Sequence, residues 1–570
     1  MRPNGIPRGT GLIVLVLLIG MGLLPLAAIA QEASPQPIRS LTRAQVWDEI
    51  LAAFPMEEPQ HRGGQVIHAT ADISTLNGLF AADSASYAVT DRVYESLVDI
   101  SPIDAQPVPE LADWWDLAPD GITYTFHLNP DARWQDGTDL TAADIVFTFA
   151  AALDPETGYL GQPDLAATIA SYRAVDDDTF ELISRGPLPD ALWAIRYVTI
   201  LPKHLWEDVP HAQWVSDPGS TGADLSRVVG TGPFTLVEWV PGDHARLRRN
   251  DAYYGNVPII DEFVVAVYSE DASSLEALKA GEIDIRELVP AARVSEVEAT
   301  EGLAVAAGDT PGFAYYMPNL DPEKTTLFQD RRVREALFVA LDRAALVDAV
   351  LLGYGDVARG TQPPLSPAYA PERIAPAYDY DPARARQLLT EAGWSDSDGD
   401  GVVDKDGQAF AFELLYPNPS PAAPQIATYL QEAWRAIGVA VTPQETPWPP
   451  LLEATFVTHD VEMVLGGIYA EPSGSQGFLF RCDAYAGGSN AMKYCNPGYD
   501  ELDEQQRREL DPVKRRELLI QQTNIVWQDL PLGVLAFFDD TTGYATRLHN
   551  IFPTGWGGPL WSLPWVWVDE

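Results

Sequence analysis

Lysine is nearly missing from this chain. It occurs only six times, and Lys and Arg together number 37 against 82 Asp and Glu, for a formal charge of −45 at pH 7. So acidic a chain repels phosphate backbones and anionic lipid headgroups, which makes nucleic acid and anionic membrane poor partners. The excess reads as a solvated acidic surface. Cysteine is scarce as well: Cys482 and Cys495 are the only two. Two cysteines fall short of a four-ligand zinc site. The eight histidines are scattered, and the spacing of His204 and His211 is not that of a metal-ligand pair. There is no His-Glu-x-x-His, no Gly-x-Ser-x-Gly, no Walker loop and no dinucleotide fingerprint. The chain therefore reads as a non-enzyme without a cofactor. A hydrolase is the minority alternative, because nothing in a single sequence keeps two of the 82 carboxylates from meeting in space.

Long apolar runs are also absent, with one exception. Arg2 and Arg8 precede an almost wholly apolar stretch from Leu12 to Leu24, then Pro25 and Ala28-Ile29-Ala30. This is the pattern of a secretory signal peptide over 1–30. An uncleaved anchor that tethers a sensor is the alternative, because residues 11–30 are just long enough to span a bilayer. No cysteine follows the run, so there is no site for lipid attachment. Export favours a disulfide between Cys482 and Cys495, with two free thiols as the alternative.

The chain does hold a hydrophobic fraction of 46% over 570 residues, enough for a large core and two to four domains. From Leu111 to Ala152 the local signals are dense. Ile122, Tyr124, Phe126 and Leu128 alternate with polar residues, as in a half-buried strand. Asp136-Gly137 marks a turn. Thr141 with Asp144 has capping-box spacing, and the helix it opens stops near Asp154-Pro155. Further on, Asp176-Asp177-Asp178 reads as a hairpin turn rather than a metal site. Gly281 caps a helix from Ser274 to Ala280. Val333, Leu337, Leu341 and Ala345 predict one long helix from Asp330 to Leu352. Asp381-Pro382 opens another helix and Gly393 closes it. A helix of mixed charge is expected after Asp500, to about Asp529. Trp565 and Trp567 are expected on one strand face.

Asp396, Asp398, Asp400 and Asp404 occupy positions 1, 3, 5 and 9 of a calcium-type loop with Gly401 at position 6. The bidentate Glu of position 12 is replaced by Gly407, so calcium is a weak candidate beside a plain acidic hairpin.

Several of these stretches closely resemble the wording of the family 5 extracellular solute-binding proteins, the oligopeptide- and dipeptide-binding class of ABC importers. Leu111-Ala112 with Trp115 opens the pattern. Gly121, Tyr124, Phe126 and Leu128 continue it, and Trp134-Gln135-Asp136-Gly137-Thr138-Asp139-Leu140-Thr141-Ala142-Ala143-Asp144-Ile145 completes it. Arg62-Gly63-Gly64, Tyr94-Glu95-Ser96-Leu97, Val229-Gly230-Thr231-Gly232-Pro233, Ala277-Leu278-Lys279-Ala280-Gly281-Glu282 and Asn496-Pro497 match further landmarks. Gly78 follows Asn77 where the family has Pro.

The resemblance implies an α/β, two-lobed periplasmic-binding-protein fold of the large class with an extra domain. It divides the chain into a signal (1–30), a linker (31–61), lobe I (62–100), the extra domain (101–225), lobe I again (226–308), lobe II (309–535) and a C-terminal return to lobe I (536–570). It implies a monomeric exported receptor, periplasmic or extracellular, that closes on a small peptide and hands it to membrane permease subunits. Pocket positions carried over are Tyr87, Phe313, Tyr469, Glu471, Ser489, Asn490 and Trp556. The family's peptide-amine Asp stands four residues before an acidic-Pro step. Here that step is Glu471-Pro472, and Ile468 takes the Asp position. Either Glu471 or another carboxylate replaces it, or the ligand is not an ordinary peptide. An oligosaccharide stacked on Tyr469, Trp556 and Trp561 is the alternative.

Overall fold

The structure, a computed structural model, describes residues 38–418, 420, 422–485 and 489–569. The predicted signal lies outside the described residues, and no described helix is long and apolar enough to cross a membrane.

The strand predicted from alternation runs from Thr123 to Leu128 and buries Tyr124, Phe126 and Leu128 on one face. It is the middle strand of a five-stranded sheet ordered Ile38–Arg39, Ala112–Leu117, Thr123–Leu128, Thr179–Ser184, Ile169–Ala174. All four pairings are antiparallel, and the three aspartates at 176–178 form the turn between the last two strands. The helix Ala142–Leu153 packs Phe149 on Phe180, with ring centroids 5.2 Å apart. Its capping box is present: the Thr141 amide donates to Asp144 Oδ2 at 3.0 Å. The second Asp144 oxygen accepts from the Lys203 amide, so one carboxylate ties two elements together.

An eleven-stranded sheet links the two large cores. Its central strands, Leu303–Pro318 and Gly533–Ala545, lie antiparallel side by side, and their register shifts between Asp309 and Phe313. Beyond that shift, Phe313 to Phe537 build one core. On the other side, Val66 to Ile285 and Leu548 to Val568 build another. A small third core holds Leu275, Leu278, Val294 and Val297. Glycine at Gly230 is required by close approach, because a Cβ there would lie 1.8 Å from the Val93 carbonyl oxygen.

Some expectations are corrected. The single helix expected from Asp330 is two, Arg331–Val339 and Arg343–Ala349, because the Asp342 side chain accepts from the Ala345 amide and starts a new helix. The helix expected to Asp529 is likewise two, Pro497–Gln506 and Pro512–Asp529, with Asp511 capping the second. The helix ended by Gly281 starts earlier, at Asp271. Trp565 belongs to the turn Leu563–Trp565 and not to the strand Trp567–Val568.

Within the predicted linker, Arg43–Ala52 is a helix with a Thr42–Gln45 capping box. It is packed onto the C-terminal segment: the Trp47 ring lies 5.4 Å from Trp565, and Phe54 lies 4.7 Å from Trp561.

Cys482 and Cys495 form a disulfide. Replacing both by serine is expected to cost about 2–3 kcal/mol, the loop-closure entropy of a short loop. Urea unfolding of the variant against the oxidised parent measures it.

Candidate functional site

A cavity of about 480 Å³ runs between the helix Ser84–Val93, residues 196–199 and the C-terminal segment 556–565. Two of the expected pocket residues line it, Tyr87 and Trp556, together with Asp91, Arg92, Arg196 and Glu287. Helix periodicity explains part of this grouping, since Tyr87 and Asp91 stand one turn apart on one face.

The wall is strongly charged. Burial pushes the Asp91 carboxyl up to about 6 against the pull of Arg92, whose Nη2 is 4.0 Å away. Half of the Asp91 side chain faces open space. Burial and the Asp91 charge push the Tyr87 hydroxyl up to about 12. Arg92 is oriented by the Leu560 carbonyl, which accepts from Nη1 at 2.6 Å. Arg196 Nη2 stands 3.5 Å from Asp99. The Trp556 indole N–H is buried without a hydrogen-bond partner among the described residues.

A small recess continues the cavity past Glu287, Gly558 and Pro559 and adds Asp309 and Asp540. Glu287 meets His68 Nε2 at 2.8 Å. Burial would raise the Glu287 carboxyl, but His68, Arg286 and Arg92 outweigh it and hold it below its ordinary value. Asp540 goes the other way: burial and the neighbouring Glu287 charge push it up to about 6.

Tyr469 and Glu471 come from the other core. Tyr469 ends the strand Met463–Tyr469, where the alternation leaves it 54% exposed, and its ring meets Phe538 edge-on at 5.7 Å. Burial, Asp540 and Glu287 push its hydroxyl up to about 12, so it stands close to the recess. Glu471 is raised by burial and by Asp190 and Asp164, while Arg196 opposes them. Both residues thus lie within electrostatic range of groups on the other core.

Three expected positions do not join this group. Phe313 is fully buried in its core, because strand Leu303–Pro318 is covered on both faces from Thr310 onward. Asn490 is fully buried: Nδ2 donates to the Arg481 and Tyr494 carbonyls, and Oδ1 accepts from the Tyr494 amide. It shapes the disulfide loop and offers no surface to a ligand. Ser489 is half-buried, with its amide donating to the Phe478 carbonyl, and does not line the cavity. Gly466 makes room for a neighbour, since a Cβ there would sit 3.0 Å from the Tyr315 hydroxyl oxygen.

In the acidic loop, Asp396, Asp398 and Asp400 bring oxygens within 4.8 Å of one another. Asp404 is turned away, accepting from the Ser397 amide and hydroxyl at 2.8 Å. Asp396 accepts from the Gly399 and Gly401 amides. These bonds are those of an exposed acidic turn.

Asp91, Arg92, Arg196, Glu287 and Asp540 escaped the sequence reading. Only Asp91-Arg92, just before the Tyr94-Glu95 landmark, had a local signal. The others converge through topology alone.

A family model described as bacterial extracellular solute-binding proteins, family 5 Middle, matches residues 106–490. The oligopeptide-binding protein AppA of Bacillus subtilis is 29% identical over 456 residues, covering 78% of this chain and 80% of that protein. The dipeptide-binding protein of Escherichia coli is 25% identical over 482 residues, covering 80% and 86%. The structure of Bacillus subtilis AppA in complex with a nonapeptide superposes with a TM-score of 0.75 at 25% identity, covering 90% of this chain and all of that one. These relatives are named as binding proteins and not as enzymes. With the two cores joined by paired long strands, the cavity beside them and a family match across most of the described body, the chain belongs to the bacterial extracellular solute-binding proteins of family 5.

Proposed function

We propose that the protein is an exported receptor that captures an oligopeptide in the cavity and delivers it to the permease of an ABC importer. The lobes meet at the register shift between Asp309 and Phe313, and 1–30 is a cleaved export signal. The observation that carries the peptide reading is the carboxylate recess beside Tyr469. Ile468 removes the carboxylate expected for a peptide amine, and Asp540 with Glu287 supplies one from the other side of the same cleft. The relatives AppA and the Escherichia coli dipeptide receptor support a peptide, as does the nonapeptide held by the AppA structure. The oligosaccharide alternative loses support because Trp561 already stacks on Trp47 and donates its indole N–H to the Phe552 carbonyl.

A thermal-shift panel on the chain from Gln31 tests this. A receptor gains about 2.7 kcal/mol at a hundredfold excess of ligand over Kd. Tri- to pentapeptides are expected to raise the melting temperature; a shift by oligosaccharides alone overturns the peptide reading. Amino-terminal sequencing of the exported protein is expected to return Gln31, and an intact Met1 would mean a tether.

The recess also sets a pH dependence. Asp540 faces Glu287, Asp309 and Tyr469, with His68 behind Glu287. Its raised carboxyl stabilises the ligand-free fold below the unfolded value near about 4 and loses that contribution as pH rises through its folded value. A bound ammonium favours the charged form, so binding in acid expels a proton. Affinity for a peptide with a free amino terminus is expected to rise between about pH 5 and about pH 7 and then level off. Calorimetry at several pH values checks this, and Asp540→Asn is expected to flatten the rise.

A further inference from the structure

Arg43, at the start of the helix Arg43–Ala52, reaches into the inner end of the cavity. Its Nη2 donates to the Tyr253 hydroxyl oxygen at 2.9 Å. Its guanidinium carbon lies 5.1 Å from the Tyr254 ring centroid and 5.9 Å from that of Tyr253. Both tyrosine hydroxyls donate to one oxygen of Glu95, at 2.7 and 3.0 Å. Glu95 is only 4% exposed, it lines the cavity, and besides the two tyrosines the Thr231 hydroxyl lies within its reach. Glu110 lies beyond it, its carboxyl pushed up by burial and by the charges of Asp99 and Glu95. Beneath the guanidinium passes the bare backbone of Gly255, where a Cβ would meet Nη1 at 2.7 Å and Nη2 at 2.9 Å.

A glycine floor, two aromatic faces and a buried carboxylate suit a planar, weakly hydrated cation. The segment that brings the cation is fixed by Trp47, which stacks on Trp561 at 6.5 Å and also lines the cavity. We propose that the inner end of the cavity is a guanidinium site filled by the chain's own Arg43, which makes the N-terminal helix the end wall of the solute cavity and a limit on ligand length. Without that side chain, the Glu95 pocket is continuous with the rest of the cavity, and an arginine at the end of a longer ligand takes the place of Arg43. The limit on ligand length rests on the peptide-receptor reading; the guanidinium site does not.

The test is Arg43→Ala in the chain from Gln31, melted with methylguanidinium chloride at millimolar concentration. Methylammonium chloride and sodium chloride at equal ionic strength are the controls. Methylguanidinium is expected to restore part of the lost melting temperature in the variant, to leave the parent unchanged, and to lose its effect when Glu95→Gln is added. A rise no larger than with methylammonium, or one that survives Glu95→Gln, overturns the proposal. Should Arg43→Ala fail to fold, Gly255→Ala in the otherwise unaltered chain is the second variant. Its Cβ would lie 2.7 Å from both Arg43 Nη1 and Tyr253 Cε1, so it displaces the guanidinium and the ring edge beside it; limited proteolysis is then expected to cut within Arg43–Ala52 while the body stays intact, and unchanged protection overturns the proposal.

For ligand length, an alanine pentapeptide ending in arginine is expected to gain about tenfold in affinity for Arg43→Ala over the parent. The same peptide ending in alanine gains nothing. Methylguanidinium rescue without any peptide binding to parent or variant would sink the receptor reading and leave the guanidinium site standing.

Discussion

Asp503→Ala is expected to lower stability by about 3–5 kcal/mol, the range for breaking a buried charge cluster by removing one partner. The Asp503 side chain is fully buried and sits at the centre of four contacts. Arg507 Nε is 2.6 Å away, Arg481 Nη1 3.2 Å, and the Gln506 and Gln522 amides donate at 3.0 and 3.2 Å. Removing the carboxylate leaves Arg481, itself mostly buried, without its innermost partner and the buried Gln522 amide without an acceptor, while the Gln506 amide keeps Ser475 Oγ at 3.1 Å. Arg507 is nearly half exposed and escapes to water, which keeps the cost from being larger. Asp503→Asn keeps the shape, loses the charge, and is expected to recover less than half of the loss. Asp398→Ala, in the exposed acidic turn, is the control and is expected to stay within about 0.5 kcal/mol of the parent. Urea midpoints of the three variants check the ranking.

How much of this was legible in the sequence depended on distance along the chain. The capping box at Thr141 and Asp144 and the alternation through Tyr124, Phe126 and Leu128 are local, and they appear in the structure as expected. The helix break at Asp342 is local too, but apolar periodicity from Val333 to Ala345 masked it: Asp suits a cap and a helix surface alike, and only the Ala345 amide decides between them. Asp511-Pro512 carries the same signal as Asp381-Pro382 and was hidden inside a run of mixed charge.

The site was less legible. Tyr87 and Trp556 reached the cavity through their places in the family wording. Phe313 and Asn490 are buried by neighbouring elements, one in a strand covered on both faces and one inside the disulfide loop, and such burial leaves no trace in the local sequence. The recess draws Glu287, Asp309 and Asp540 from three stretches of chain, and one sequence holds no record of that meeting. Arg43 lay in a segment whose composition is that of a linker, and only the Tyr253, Tyr254 and Glu95 cluster makes it part of the body.

The last expected result concerns closure of the cleft. Asp190 precedes the helix Ala191–Arg196 beside the five-stranded sheet, and Arg515 lies on the helix Pro512–Asp529 in the Phe313–Phe537 core. Arg515 Nη2 stands 2.7 Å from Asp190 Oδ1, with the arginine side chain only 9% exposed. Arg515 Nε also donates to the Gln506 carbonyl and side-chain oxygens, and Gln506 in turn donates to Asp503. The ion pair therefore rests on the same buried network as the first prediction. Nearby, Leu510 reaches the turn at Gly121, where a Cβ would come within 2.8 Å of Cδ1. These contacts bridge the two cores. In Asp190→Ala, closing the cleft would bury the Arg515 charge without its partner. The closed state is then expected to lose about 3 kcal/mol and ligand affinity to fall on the order of a hundredfold, with the open protein keeping its stability. A purely structural role would instead lower the melting temperature of the ligand-free protein and leave Kd unchanged. Arg515→Ala removes the buried charge as well as the pair, so its loss of affinity is expected to be smaller. Calorimetry with the best peptide from the thermal-shift panel, beside small-angle scattering of the ligand-free variants, reads both effects. Equal affinities for parent and Asp190→Ala would mean that the pair is incidental to closure.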